Sequence, residues 1–140
     1  PHVVRVGHPA RVIESLRDYT LDERVREHES IEIVRELMRE SEGLMRQAAK
    51  SVRSREGYRR AAEMRAEART LQNQARAMER NAIQYVLDAS DVICTTTTID
   101  DDLLGSRRFD LVVIDEACQS TEAGVWQAIL RAERLVFAGD

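Results

Sequence analysis

The stretch Phe109-Asp-Leu-Val-Val-Ile-Asp-Glu-Ala-Cys-Gln119 decides how this sequence is read. Leu111 to Ile114 is an unbroken apolar run with two β-branched valines and an isoleucine. Such a run predicts a strand buried on both faces, hence central and parallel in its sheet. Asp115 and Glu116 follow at once. Open α/β sheets bind ligands beyond the carboxyl ends of their strands, so a carboxylate pair there is a candidate site. The plainer reading of Asp-Glu alone is a solvated strand end that caps the next helix.

On either side the α/β pattern continues. Asp91-Val-Ile-Cys-Thr95 reads as a second buried strand, with Thr96, Thr97 and Thr98 at its carboxyl end. Hydroxyls and amides there suit phosphates, although threonine also simply favours strands. Asp100 to Leu104 predicts a helical turn ended by Gly105. Ser120 or Thr121 is placed to cap a helix running to about Ala132, with Val125, Ile129 and Leu130 inward and Trp126 a packing residue. Arg134 to Ala138 is a third strand, followed by Gly139-Asp140. Near the start, Val3 to Val6 is a short strand broken by Gly7-His8-Pro9. Pro9 is suited to open a helix to about Tyr19 that buries Val12, Ile13 and Leu16. His8 reads as a turn residue within reach of a ligand.

Between these halves the period changes. Thr20-Leu-Asp-Glu23 is a capping box that opens a short helix to about Glu29, and Ser30 is placed to cap a longer one. Ile31, Val34, Met38, Met45, Ala48 and Val52 fall on alternating three-four spacing, with Ser41 in the gap. After a turn in Ser54–Gly57, Ala61, Met64, Ala68, Leu71, Ala75, Met78, Ala82 and Tyr85 repeat that spacing. Three to four heptads argue for a coiled-coil seam, and alanine at alternate positions allows close approach. The expected unit is an antiparallel hairpin, Ser30–Val52 against Gly57–Leu87, with arms about 35–45 Å long. Glu42/Arg46 and Glu56/Arg60 add i,i+4 pairs. From Arg53 to Arg80 there are eight Arg against four Glu. That excess is either a solvated helix face or a surface for a nucleic-acid backbone.

The 140 residues suffice for one ordinary domain or a piece of a larger one, and the net charge of −4 gives no general argument for nucleic-acid binding. Lys50 is the only lysine. Cys94 and Cys118 have no metal-ligand spacing and read as reduced core thiols near strand ends, which suits the cytosol or, in a eukaryote, the nucleus. No apolar run approaches the roughly 18 residues of a membrane span, so no membrane partner is expected.

A strand ending in Asp-Glu is the Walker B arrangement of nucleotide hydrolases. Strand–Asp-Glu-Ala-x-Gln, a helix, then strand–Gly-Asp about twenty residues on resembles motifs II and III of superfamily 1 helicases. The group it looks most like is that of the nonsense-mediated-decay helicase, the senataxin helicases and the immunoglobulin-mu-binding helicase. Arg5-Val-Gly-His-Pro-Ala-Arg11 resembles the segment after motif Ia, and Asp91-Val-Ile-Cys-Thr-Thr96 resembles motif Ic. That group also carries a helical insertion at this point of its first RecA-like domain.

The resemblance implies an α/β fold, a partial RecA-like parallel sheet with an inserted antiparallel helical hairpin. Residues 1–21 and 89–140 would belong to the motor domain and 22–88 to the insertion. It implies ATP and Mg²⁺ as cofactors, Asp115 at the metal and Glu116 as general base. Gln119, Gly139 and Asp140 would lie at the nucleotide, with Gln119 and Asp140 coupling the γ-phosphate state to the nucleic-acid path. Thr95, Thr96 and Thr97 would touch single-stranded DNA or RNA. Ile99-Asp100 stands where many members have a glycine, a departure at the turn behind those threonines. The sequence has no Gly-Lys-Thr/Ser phosphate loop. The expectation is therefore an internal piece of a helicase, inactive alone, whose partners are the phosphate-loop segment and the second RecA-like domain. A non-catalytic scaffold of the same fold and a P-loop ATPase of repair or recombination are the alternatives.

Overall fold

The computed structural model describes residues 1–7, 12–51, 54–97, 99 and 101–139. Its elements run β1 (Val3–Arg5), a 3-10 helix (Glu14–Tyr19), α1 (Leu21–Arg26), α2 (Ser30–Lys50), α3 (Arg55–Asp88), β2 (Val92–Cys94), α4 (Asp101–Leu104), β3 (Val112–Ile114), a 3-10 turn (Ala117–Gln119), α5 (Glu122–Ile129) and β4 (Leu135–Phe137). The strands form two pairs, β1 with β2 and β3 with β4. β3 and β4 are parallel, with Val112 opposite Leu135 and Ile114 opposite Phe137. In the other pair, Val92 N donates to His2 O (3.1 Å) and Val6 N to Cys94 O (2.8 Å), so both strands advance together and are also parallel. The architecture is thus α/β, parallel strand pairs interrupted by helices, as in a partial RecA-like fold. Among the described residues no helix is long and apolar enough to cross a membrane.

The chain separates into two compact units: Pro1–Val4 with His8–Ile93, and Arg5–Gly7 with Cys94–Asp140. The first is dominated by the helical hairpin. Three contacts fix it as antiparallel. The His28 and Tyr85 rings meet edge to face at 5.0 Å, and Ser41 Oγ donates to Ala68 O at 2.9 Å. A Cβ on Gly57 would overlap the Ser51 carbonyl oxygen, which explains glycine there. Residue numbers fall on one arm as they rise on the other. Ala61, Ala68, Ala75 and Ala82 are all buried, as are Val34, Ser41 and Ala48 opposite. One small residue every seventh position keeps a single face inward and lets the backbones approach. Ser41 is the polar member of the seam, and its hydroxyl needs the Ala68 carbonyl because buried polar groups must be hydrogen-bonded.

Several details differ from expectation. α3 starts at Arg55, capped by Ser54, whose hydroxyl accepts from Gly57 N (3.1 Å). Ser30 is the first residue of α2, not its cap; its amide and hydroxyl both bond His28 Nδ1. The capping box is half formed. Thr20 Oγ1 accepts from Glu23 N (3.4 Å), whereas the Glu23 carboxylate pairs with Arg26 (2.9 Å). Met38 and Tyr85 lie outside the seam, exposed, because Val34 to Ser41 to Ala48 is a cleaner seven-residue register. The helix proposed from Pro9 to Tyr19 is a 3-10 helix from Glu14, without buried residues, and Ile13 is 67% exposed. Its start at Pro9, like His8, Val52, Arg53 and Thr98, lies outside the described residues.

In the second unit the expected double burial of β3 does not hold. Ile114 is buried but Val113 is 57% exposed, because β3 pairs with β4 alone and only one face is covered. β2 likewise exposes Val92. Cys94 and Cys118 are free thiols but exposed rather than in the core, since their strand ends are uncovered. α5 buries Val125, leaves Leu130 exposed and Trp126 half exposed, and ends at Ile129. Arg131 ties this unit together. Its guanidinium reaches Asp101 (2.7 Å), Gly105 O (2.6 Å) and Arg107 O (3.2 Å).

Substituting Ala68→Leu forces a larger side chain into the seam and should destabilise the chain by about 1–3 kcal/mol. Gln74→Leu, on the exposed side of the same helix, should change stability little. Urea unfolding followed by circular dichroism compares them.

Candidate active site

The candidate site begins where β3 ends. Ile114 anchors the strand in the core, and the next residues leave it into solvent. Asp115 Oδ1 accepts a hydrogen bond from Glu116 N at 3.0 Å, a local turn that fixes the aspartate beside the strand end. Glu116 has φ 54° and ψ 37°, the only non-glycine residue with positive φ among those described. A left-handed glutamate costs on the order of 1 kcal/mol and persists only where its surroundings impose it.

Those surroundings are visible. The Glu116 carbonyl accepts from Gln119 N (3.0 Å) and from Ser120 Oγ (3.4 Å). Its carboxylate accepts from Gln119 Nε2 at 2.6 Å, a short charge-assisted bond. Ala117 N donates to Ala138 O at 2.9 Å, which joins the turn to the end of β4. Gly139, with φ +134°, lies directly behind. A Cβ there would stand 3.2 Å from Ala117 N and 3.3 Å from Glu116 Cα. Glycine is therefore favoured by the conformation, and a side chain there would also press on the turn. Thr121 then caps α5 by accepting from Gly124 N (3.3 Å).

Asp115, Glu116, Gln119 and Gly139 thus form one cluster at the carboxyl end of a parallel strand pair. Asp140 lies outside the described residues. Thr95 and Thr96 are exposed and Thr97 half-buried, beyond the carboxyl end of β2, with Thr95 Oγ1 donating to Thr96 O (3.3 Å). They belong to the other strand pair and share no hydrogen bond with Asp115 or Glu116 among the described residues. The bond from Gln119 to Glu116 and the fit of Gly139 were not foreseen from sequence. The i,i+3 spacing of Glu116 and Gln119 was the available signal for the first.

No group of three or more His, Cys, Asp or Glu side chains among the described residues is arranged as a metal cage. Mg²⁺ can be held by a single carboxylate with water and substrate phosphates completing its shell, a donor that the exposed Asp115 can supply.

The partial RecA-like fold and its family relationships agree with one another. The chain belongs to the AAA domain family, whose profile matches residues 1–140. It is similar to the DNA-binding protein SMUBP-2 of Mus musculus, 32% identical over 143 residues, which covers 99% of this chain and 14% of that protein. The SMUBP-2 of Rattus norvegicus matches to the same extent. The DNA polymerase alpha-associated DNA helicase A of Schizosaccharomyces pombe is 32% identical over 139 residues, covering 99% of this chain and 20% of the helicase. The chain therefore spans a fifth or less of the relatives it matches, and its resemblance to superfamily 1 helicases is borne out.

Gly139→Ala should destabilise the chain by about 1–3 kcal/mol, the range for an imposed disfavoured backbone. Gly105→Ala, at φ +57° with open space around it, should cost less. Chemical denaturation of the two variants measures the difference.

Proposed function

We propose that this chain is part of the first motor domain of an ATP-dependent superfamily 1 helicase, acting on DNA or RNA in the cytosol or nucleus. On this reading, residues 1–21 and 89–140 belong to the motor and 22–88 to the insertion. The observation that carries the proposal is Glu116, held left-handed at a parallel strand end with its carboxylate on the Gln119 amide.

In this reading Asp115 would help hold Mg²⁺, which would supply charge neutralisation to the nucleotide phosphates. Glu116 takes a proton from the attacking water. Gln119 holds the Glu116 carboxylate and must release or share it when a water arrives, so the amide senses whether the γ-phosphate site is filled. Gln119 and Asp140 couple that state to the nucleic-acid path, and the hydrogen bond from Ala117 N to Ala138 O joins the turn to the chain just after β4. Thr95, Thr96 and Thr97 supply hydroxyls to the backbone of a bound single strand. The phosphate-loop lysine and amide nest, which such chemistry requires, would come from the remainder of the helicase, as would the second RecA-like domain.

The test is made in the full-length protein. Glu116→Gln keeps the shape and the bond to Gln119 but removes the base. ATP turnover should fall about 10²-fold or more while ATP affinity is retained. Asp115→Asn should weaken both Mg²⁺-dependent ATP binding and turnover. Turnover at the parental rate in Glu116→Gln would show that Glu116 is not the base. Separately, Thr96→Ala with Thr97→Ala should weaken single-strand binding with ATP affinity unchanged, measured by fluorescence anisotropy.

A further inference from the structure

Six of the seven arginines of α3 fall into two groups. Arg59 pairs with Glu63 (3.5 Å) and Arg60 with Glu56 (2.6 Å), so these charges are locally balanced. Arg65, Arg69, Arg76 and Arg80 are exposed and have no carboxylate within ion-pair distance among the described residues. At 3.6 residues per turn these four fall within a sector of about 60°, spread over roughly 22 Å of helix. Gln72 and Asn73 lie between them along the stripe. Glu56, Glu63 and Glu67 project about 100° or more away from it, and Glu79 alone stands at its edge. Tyr58 is in line with the stripe about two turns before Arg65 and is 62% exposed.

We infer that this stripe of α3 binds the phosphate backbone of a single nucleic-acid strand, at a site separate from Thr95 to Thr97. The choice of nucleic acid as occupant rests on the motor reading above. The stripe itself supports it in three ways. Four guanidiniums in a line suit a linear polyanion, since arginine pairs with phosphate in bidentate fashion. The two amides between them can bond phosphate and sugar oxygens, as Asn and Gln do in such interfaces. An exposed tyrosine at one end offers a face on which a base stacks.

The experiment uses the full-length protein and a quadruple variant, Arg65→Gln, Arg69→Gln, Arg76→Gln and Arg80→Gln, which keeps good helix formers on an exposed face. Binding of labelled oligodeoxythymidylate is followed across a salt series, with circular dichroism to check helix content and ATP turnover without nucleic acid as a control. Each phosphate contact on a single strand contributes about 0.7 to the slope of log affinity against log salt. The slope should therefore fall by roughly 3, and the parent should lose about 50-fold more affinity than the variant between about 50 and 200 mM salt. An unchanged slope overturns the proposal. So does loss of binding to polyglutamate with the oligonucleotide slope unchanged, which would identify the partner as an acidic polypeptide. A slope reduced in the quadruple variant of a parent that itself hydrolyses no ATP would uphold the stripe while the motor reading fails, so the two failures are distinguishable.

Discussion

The hairpin depends on one constraint, the absence of side-chain bulk at every seventh position of α3. Ala61, Ala68, Ala75 and Ala82 are buried to within a per cent of completely, and each contributes almost no volume. The arms therefore meet nearly backbone to backbone. Close approach is what allows Ser41 to reach the Ala68 carbonyl directly. It also explains why residues that flank the seam, such as Met64, Leu71 and Met78, remain half-buried. They close the sides of a narrow contact and do not fill its centre. The seam thus separates an inner face with little chemistry from an outer face free to carry charge.

The second unit solves a different problem, the positioning of a few polar groups at an exposed strand end. Here the backbone does the positioning. A buried isoleucine sets the end of β3, and a left-handed glutamate turns the chain. The hydrogen bond from Ala117 N to Ala138 O then fastens the turn to the neighbouring strand. The Glu116 carboxylate is consequently held by a side chain three residues away and by a backbone that a larger residue at Gly139 would displace. Such mutual support is how a polar cluster keeps its geometry without being buried.

Much of this was legible in sequence, and the misses have physical causes. Heptad spacing reports one face of a helix, so the hairpin and most of its seam were readable; Met38 and Tyr85 were assigned inward because they continue the spacing although the packing register passes them by. A four-residue apolar run reports hydrophobicity but not how many neighbours cover it, so β3 was expected to be buried on both faces. Strand ends and cysteines inherited the same error. The 3-10 helix at Glu14 has no cover for the apolar residues at its start, Ile13 before it and Leu16 within it. At the site, Asp115 and Glu116 were legible from type and order. The left-handed turn was not, because no residue type at Glu116 announces it, and the need for glycine at 139 was not, because it arises from contact with a segment more than twenty residues away.

The tight tip of the hairpin has a consequence for how such an arm changes length over evolution. Gly57 lies against the Ser51 carbonyl, so the two arms are already in contact next to the tip. Because the small residues recur every seven positions, inserting or deleting any other number in one arm rotates its facing surface away from the other. Length can change without loss of pairing only when both arms gain or lose whole heptads together. Related arms of this kind should differ in reach by multiples of about 10 Å, the rise of seven helical residues, rather than varying continuously.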